Sequence, residues 1–219
     1  METSVKLASY LLQSKAIIID PANPFTWASG WFSPIYCDNR KTLSYPEIRD
    51  FIRDSFIREI QASFPRPDII AGVATGAIAH AALVAGTMGL PLIYVRSSQK
   101  SHGMENLIEG DIGVGQTVVV IEDLVSTGGS SLNAVSALRN AGMKVLGMAS
   151  IFTYGFPQAV DNFRKADIEL VSLGNYHDLI EQAVQTGYIQ PEFIKTLEDW
   201  RKDPARWLQN PKNLTHGKN

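Results

Sequence analysis

Cysteine is almost missing from this chain. Cys37 is the one thiol in 219 residues, so no internal disulfide can form. A secreted disulfide scaffold is excluded, and a reducing cytoplasm is the expected location. A dominant charge is missing too: 20 Lys and Arg stand against 22 Asp and Glu, a formal net charge of −2. Binders of nucleic acid or of anionic membranes more often carry a basic excess, so neither is an expected partner. No apolar run approaches the roughly 18 residues of a membrane span. The opening METSVKLASYLLQSKAIIID lacks the basic lead and long apolar stretch of a signal peptide. His80, His102, His177, His216 and Cys37 show no paired metal-ligand spacing, which argues against a structural zinc site. There is no Gly-Lys-Ser/Thr phosphate loop, no Gly-x-Gly-x-x-Gly turn after a strand, no repeat and no low-complexity stretch.

What is present is an ordinary globular balance, with 45% apolar and 19% charged residues. The length allows one large domain or two small ones, and a unit of this size needs no staples. Residues 5–15 read as a helix, with Leu7, Leu11 and Leu12 on one side. Residues 23–40 hold two aromatic-rich segments separated by Gly30 and closed by Ser33-Pro34, the pattern of a hairpin or small antiparallel excursion. From Tyr45, Ile48, Phe51, Ile52, Phe56, Ile57 and Ile60 recur at helical steps. Strands are expected at 68–73, 90–96, 117–121, 145–153 and 168–173, with helices at 78–88 and 130–141 and Gly142 as a helix stop. His177 is expected to start or cap a further helix, and His80 to be a hydrogen-bonded core residue. Strands alternating with helices imply right-handed βαβ units, an α/β fold and a mostly parallel sheet. Ligands of such sheets bind at the carboxyl ends of the strands.

The most informative stretch is VVVIEDLVSTGGSS, residues 118–131. A buried strand runs into two carboxylates, Glu122 and Asp123. A loop of small residues follows (Ser126, Thr127, Gly128, Gly129, Ser130, Ser131) and then a helix. Glycines let a ligand approach the backbone, and free N–H groups at a helix start favour an anion. Two carboxylates beside a phosphate site need another partner, such as the hydroxyls of a sugar or a divalent cation. The plainer alternative is a turn in which Ser130 or Ser131 merely caps the helix. A second stretch, RSSQKSHGMENLIEGD at 96–111, follows a strand and reads as a mobile loop. Its cations, Arg96, Lys100 and His102, are grouped at one end, which suggests contact with a defined anion. A solvated surface loop is the alternative.

The first stretch closely resembles the phosphoribosyl-pyrophosphate (PRPP) motif of type I phosphoribosyltransferases. The second, Arg-x-x-x-Lys-x-His-Gly followed by Ile-Glu-Gly, resembles the catalytic loop of the orotate phosphoribosyltransferase family. PFTWASGWFSP, residues 24–34, is similar to that family's N-terminal signature, and GVATGA, residues 72–77, matches its pyrophosphate loop. The resemblance implies a single domain over 1–219: an N-terminal helix and hood at about 1–45, an α/β core with a mostly parallel central sheet flanked by helices at about 46–190, and a C-terminal helix and polar tail at about 191–219.

It also implies roles. Glu122 and Asp123 meet the ribose hydroxyls, and Leu124, Val125, Ser126, Thr127, Gly128, Gly129 and Ser130 wrap the 5-phosphate. Lys100, His102 and Arg96 meet the pyrophosphate, the 96–110 loop reaching into the partner's site of a homodimer. Tyr36 and Ser126 face orotate, with Mg²⁺ as cofactor and no metal ligand expected from the protein itself. Trp27, Trp31 and Phe32 are expected to pack in the core. Another branch of the family carries lysines at the positions of Ala28 and Gly76, a basic residue at Ser97 and an arginine near Thr153. SPIYCDNR, EDLVSTGGSS and IFTYGF look like a separate branch, in which Arg40 is a candidate for the orotate carboxylate and an exposed structural arginine is the alternative. The implied activity is transfer of phosphoribose from PRPP to orotate in pyrimidine biosynthesis. The alternatives are a purine-type phosphoribosyltransferase and a non-catalytic PRPP sensor.

Overall fold

The computed structural model describes residues 2–27, 29–96 and 107–207. Helix α1 (Glu2–Gln13) buries Leu7, Ala8, Leu11 and Leu12. Strands β1 (Ile17–Ile19) and β4 (Ile35–Cys37) pair antiparallel, and so do β2 (Phe25–Thr26) and β3 (Phe32–Ser33). This is the expected hairpin. Its turn closes with Gly30 N–H donating to the Trp27 carbonyl at 2.8 Å, and Gly30 takes a φ of +83°, open to glycine. A 3₁₀ turn, Asn39–Ser44, leads into α2 (Pro46–Ser63). Pro46 begins that helix, where a missing N–H costs nothing. Ile48, Ile52, Phe56 and Ile60 fall four apart and are all buried.

The core then alternates: β5 (Ile69–Val73), α3 (Ile78–Met88), β6 (Leu92–Val95), β7 (Ile108–Glu109), β8 (Thr117–Val125), α4 (Gly129–Asn140), β9 (Lys144–Thr153), α5 (Pro157–Lys165), β10 (Leu170–Asn175), α6 (Tyr176–Gln185) and α7 (Ile194–Lys202). The central sheet has six strands in the order β10-β9-β8-β5-β6-β7, parallel except for β7. From β5 the chain winds to β6 on one side, then returns to β8 and winds the other way through β9 and β10. The switch point therefore falls between β5 and β8, and a crevice opens beyond their carboxyl ends. Val118 and Val120 of β8 pack with α4 and α5 side chains; Val119 and Ile121 pack with those of α2 and α3. All four are fully buried, as an apolar run without alternation requires.

The differences from the sequence reading have local causes. Helix α1 lies at 2–13, not 5–15. Strand β8 runs on through the acids to Val125, because β9 still pairs with it at Glu122–Ser150, Leu124–Phe152 and Val125–Thr153. Helix α5 was not expected: it is short and has just two buried residues, Ala159 and Phe163. Gly142 does stop α4, with φ +83°, and Met143 N–H closes onto Leu138 at 3.1 Å.

At the switch point β5 and α3 nearly touch. A Cβ on Gly72 would lie 2.9 Å from the Ala81 Cβ and 3.2 Å from the Ile78 Cα. Gly72→Val is therefore expected to cost about 1–3 kcal/mol, read as a lower urea midpoint at unchanged m-value. An unchanged midpoint would show that α3 can move away freely.

Candidate active site

Three segments converge at the switch point. The first is the end of β8 with the start of α4. Helix α4 begins at Gly129 after Gly128, which adopts φ +83° and supplies no side-chain cap. The first N–H groups of a helix have no intrahelical acceptor, so here they are left for an anion, which the helix dipole also favours. The loop is fixed from behind. The Thr127 carbonyl accepts from Asn162 Nδ2 at 3.0 Å, the Val125 carbonyl accepts from Tyr154 N–H at 3.2 Å, and the Phe163 ring closes the space where a Gly128 Cβ would stand. No pattern in the sequence pointed to Asn162, which sits on the unexpected α5.

The acids differ sharply in environment. Glu122 is 4% exposed, accepts from Ser131 Oγ at 2.9 Å and folds back to accept Asp123 N–H at 3.1 Å. Burial first, then the adjacent Asp123 charge, pushes its carboxyl up to about 8. Asp123 is half-buried. Its carboxylate fills the space beside Gly76, where any Cβ would collide with it. Gly76 belongs to the second segment, the loop after β5, which contains a cis Ala74–Thr75 peptide and is tied to β6 by Ala74 N–H donating to the Val95 carbonyl at 2.8 Å.

The third segment is the pair of small N-terminal sheets. Ser33 is fully buried and braces the bend, its Oγ donating to the Ile35 carbonyl at 2.7 Å and accepting Ile35 N–H at 3.1 Å. Trp27 Nε1 donates to the same carbonyl at 3.0 Å. Trp27 packs on Tyr154 and Trp200, at centroid distances of 5.3 and 5.8 Å, so the expected packing holds for it. It does not hold for Phe32, which is 38% exposed in a two-stranded ribbon; Trp31 is half-buried. Tyr36 also presents 38% of its surface, with its ring 5.7 Å from that of Phe25. Next to it the Cys37 thiol is pushed well up by burial and then by the Asp123 and Asp38 charges, so it stays protonated. Arg40 is 60% exposed and pairs with Asp38 at 2.7 Å, holding that carboxyl below its ordinary range.

Two polar residues tie the hairpin to the core. Asn39, 1% exposed, donates from Nδ2 to the main-chain carbonyl of Asp123 at 2.6 Å. Sequence reading missed it, since nothing near it in the chain shows that a distant carbonyl needs a donor. His80 is buried as expected, beside the Asn39 main chain and the Asp123 charge; Nε2 lies 3.4 Å from Thr42 Oγ1, and Nδ1 has no partner among the described residues. Burial lowers its pKa to about 4.

Arg96 follows β6 directly and stands 3.5 Å from Glu109 of β7. Lys100 and His102, with the rest of residues 97–106, lie outside the described residues, as do Ala28 and His216. Among the described residues His177, Asp178 and Glu181 bring donor atoms within 4.8 Å of one another at the surface of α6; one helical turn accounts for that. A groove of about 690 Å³ between α6 and α7 is lined by Tyr176, Ile180, Val184, Ile194 and Leu197 and shares no residue with the three converging segments.

The comparisons agree with this geometry. A phosphoribosyl transferase domain model matches residues 44–188. An orotate phosphoribosyltransferase of Porphyromonas gingivalis is 57% identical over 208 residues, covering 94% of this chain and 99% of that one. The crystal structure of orotate phosphoribosyltransferase from Aeropyrum pernix superposes with a TM-score of 0.73 at 28% identity, covering 84% of this chain and 99% of that one. The Mycobacterium tuberculosis H37Rv orotate phosphoribosyltransferase in complex with PRPP gives a TM-score of 0.63 at 25% identity, covering 81% and 98%.

The buried acid makes stability depend on pH with a definite sign. Between an ordinary value of 4.5 and about 8 the folded chain holds a proton on Glu122 that the unfolded chain has lost, so stability falls as pH rises through that window. His80 acts oppositely between about 4 and 6.5. From pH 6.5 to 8 the Glu122 slope stands alone of the two. Urea melts should show stability decreasing over that range, and Glu122→Gln should flatten the decrease. An equal slope in wild type and Glu122→Gln would refute the assignment.

Proposed function

The chain belongs to the phosphoribosyl transferase family and, within it, to the orotate phosphoribosyltransferases, and we propose that its switch-point crevice joins orotate to PRPP, releasing orotidine 5′-phosphate and pyrophosphate in pyrimidine biosynthesis. The observation that carries this reading is the meeting of an uncapped helix start, an acid pair and an exposed aromatic hood at one crevice. The 5-phosphate sits on the loop from Leu124 and Val125 through Ser126, Thr127, Gly128 and Gly129 to Ser130, where N–H groups need an acceptor. Asp123, the more open acid, meets the ribose hydroxyls directly, and Glu122 joins when Ser131 releases it. Tyr36 stacks on the orotate ring, and Ser126 lies between the two substrates.

In the reaction the bond from ribose C1 to the pyrophosphate oxygen breaks, and C1 bonds to a ring nitrogen of orotate. The sugar carries oxocarbenium character in between, so catalysis is mostly alignment and stabilisation of the departing anion. Arg96, Lys100 and His102 meet the pyrophosphate. No protein nucleophile is required, and the protonated Cys37 thiol offers none. The donors around the crevice are oxygens: the Asp123 carboxylate and the Ser126 and Thr127 hydroxyls. That set suits Mg²⁺, held chiefly by the substrate's own oxygens with Asp123 the nearest carboxylate. When bound, the ion screens the pyrophosphate charge. A homodimer in which the 96–110 loop serves the partner's site, in the cytoplasm, completes the reading.

Turnover with PRPP is expected for orotate and not for adenine, guanine or hypoxanthine; the reverse preference would overturn the assignment. Lys100→Ala should lower kcat about a hundredfold, near 3 kcal/mol, with a smaller change in KM. Asp123→Asn should weaken PRPP use in a folded protein. If the loop works in trans, mixing the two inactive proteins and letting subunits exchange restores part of the activity, because one site of each mixed dimer is intact. Exchange without recovery would place the loop on its own subunit's site.

A further inference from the structure

The most unusual polar contact outside the substrate surfaces is the one between Asn39 and Asp123, 84 residues apart. Its cause lies in the sheet. Strand β5 stops pairing with β8 at Gly72–Ile121, so Asp123 lies past the end of that ladder. A buried carbonyl left there needs a donor. Asn39 supplies it from Nδ2 at 2.6 Å, while its Oδ1 lies 3.5 Å from Cys37 Sγ and its main-chain carbonyl accepts from Thr42 Oγ1 at 2.6 Å. Its side-chain amide thus touches two things at once: the strand that carries Tyr36, through Cys37, and the backbone of the acid Asp123.

We propose that Asn39 is a positioning residue that couples the two substrate pockets, so that filling the ribose side strengthens binding on the base side. The proposal rests on the assignment of Asp123 to ribose and Tyr36 to orotate. A ribose that fixes Asp123 also fixes the carbonyl to which Asn39 is bonded, and through Asn39 the hood strand. That strand then loses less freedom when the ring docks. By linkage the effect is reciprocal, with a factor of about fivefold or more. Asn39 touches neither substrate.

The test uses ribose 5-phosphate, which lacks the leaving group and cannot react. Orotate is titrated calorimetrically into the full-length protein with and without saturating ribose 5-phosphate. Wild type should bind orotate about fivefold or more tightly with it present. Asn39→Ala should bring the ratio close to one. Asn39→Asp keeps the shape but not the donor and should do the same, so that a poorly folding alanine variant does not leave the matter open. Thr42→Val, which removes a neighbouring hydroxyl, should lower the melting temperature and keep the ratio. A folded Asn39 variant with the wild-type ratio overturns the proposal, and so does a wild type with no coupling. Either result leaves the enzymatic assignment standing if orotate and PRPP are turned over. Absence of that turnover overturns both.

Discussion

Everything in the crevice depends on β8 being covered on both faces. Val118 to Ile121 are fully buried, so after Thr117 the strand carries no polar side chain until Glu122. The first residues past that apolar run are Glu122 and Asp123, and the first loop past them is the one proposed to hold the phosphate. A parallel strand in this position has no freedom to place its polar groups elsewhere. Because β5 and β8 are neighbours and their connections run in opposite directions, the loops after them separate and leave a crevice between them. The hood then has a fixed place to close against, the end of β8 at Asp123.

Electrostatics follow from that burial. A site for a sugar carrying a 5-phosphate and a pyrophosphate is ill served by a crowd of carboxylates. Burial, with the Asp123 charge beside it, pushes the Glu122 carboxyl well up from its ordinary value and so favours its neutral form. The same burial keeps the Cys37 thiol and the His80 imidazole neutral. The helix start of α4 offers partial positive charge without a counter-ion. Arg96 is paired with Glu109 at the sheet edge.

Most of this architecture was legible in the sequence because one physical signal dominated each element. The run TVVVI could be nothing but a doubly buried strand, and the Gly30 hairpin and the Gly142 stop were announced by residues with special backbone freedom. What stayed hidden was set by partners distant in sequence. Glu122 and Asp123 read as an equivalent pair; their difference comes from Ser131 and Gly76, on two other segments. Asn39 drew no reading of its own, since nothing local shows that a carbonyl 84 residues away needs a donor. Phe32 read as core because it is aromatic, but it stands exposed on a two-residue strand.

The residues by which the chain departs from the other branch gain a structural sense in the same way. At Gly76 there is no room for the lysine found elsewhere, because the Asp123 carboxylate occupies the space. The segment IFTYGF, where another branch carries an arginine, instead builds the hood's support. Tyr154 is fully buried, stacks on Phe156 at 5.2 Å and meets Trp27 and Trp200 at 5.3 and 5.5 Å. Arg201 of α7 then binds the carbonyls of Tyr154 and Gly155, each at 3.0 Å. The hood is thus backed by an aromatic wall tied to the C-terminal helix, and a change in α7 reaches the hood through Trp200 and Trp27.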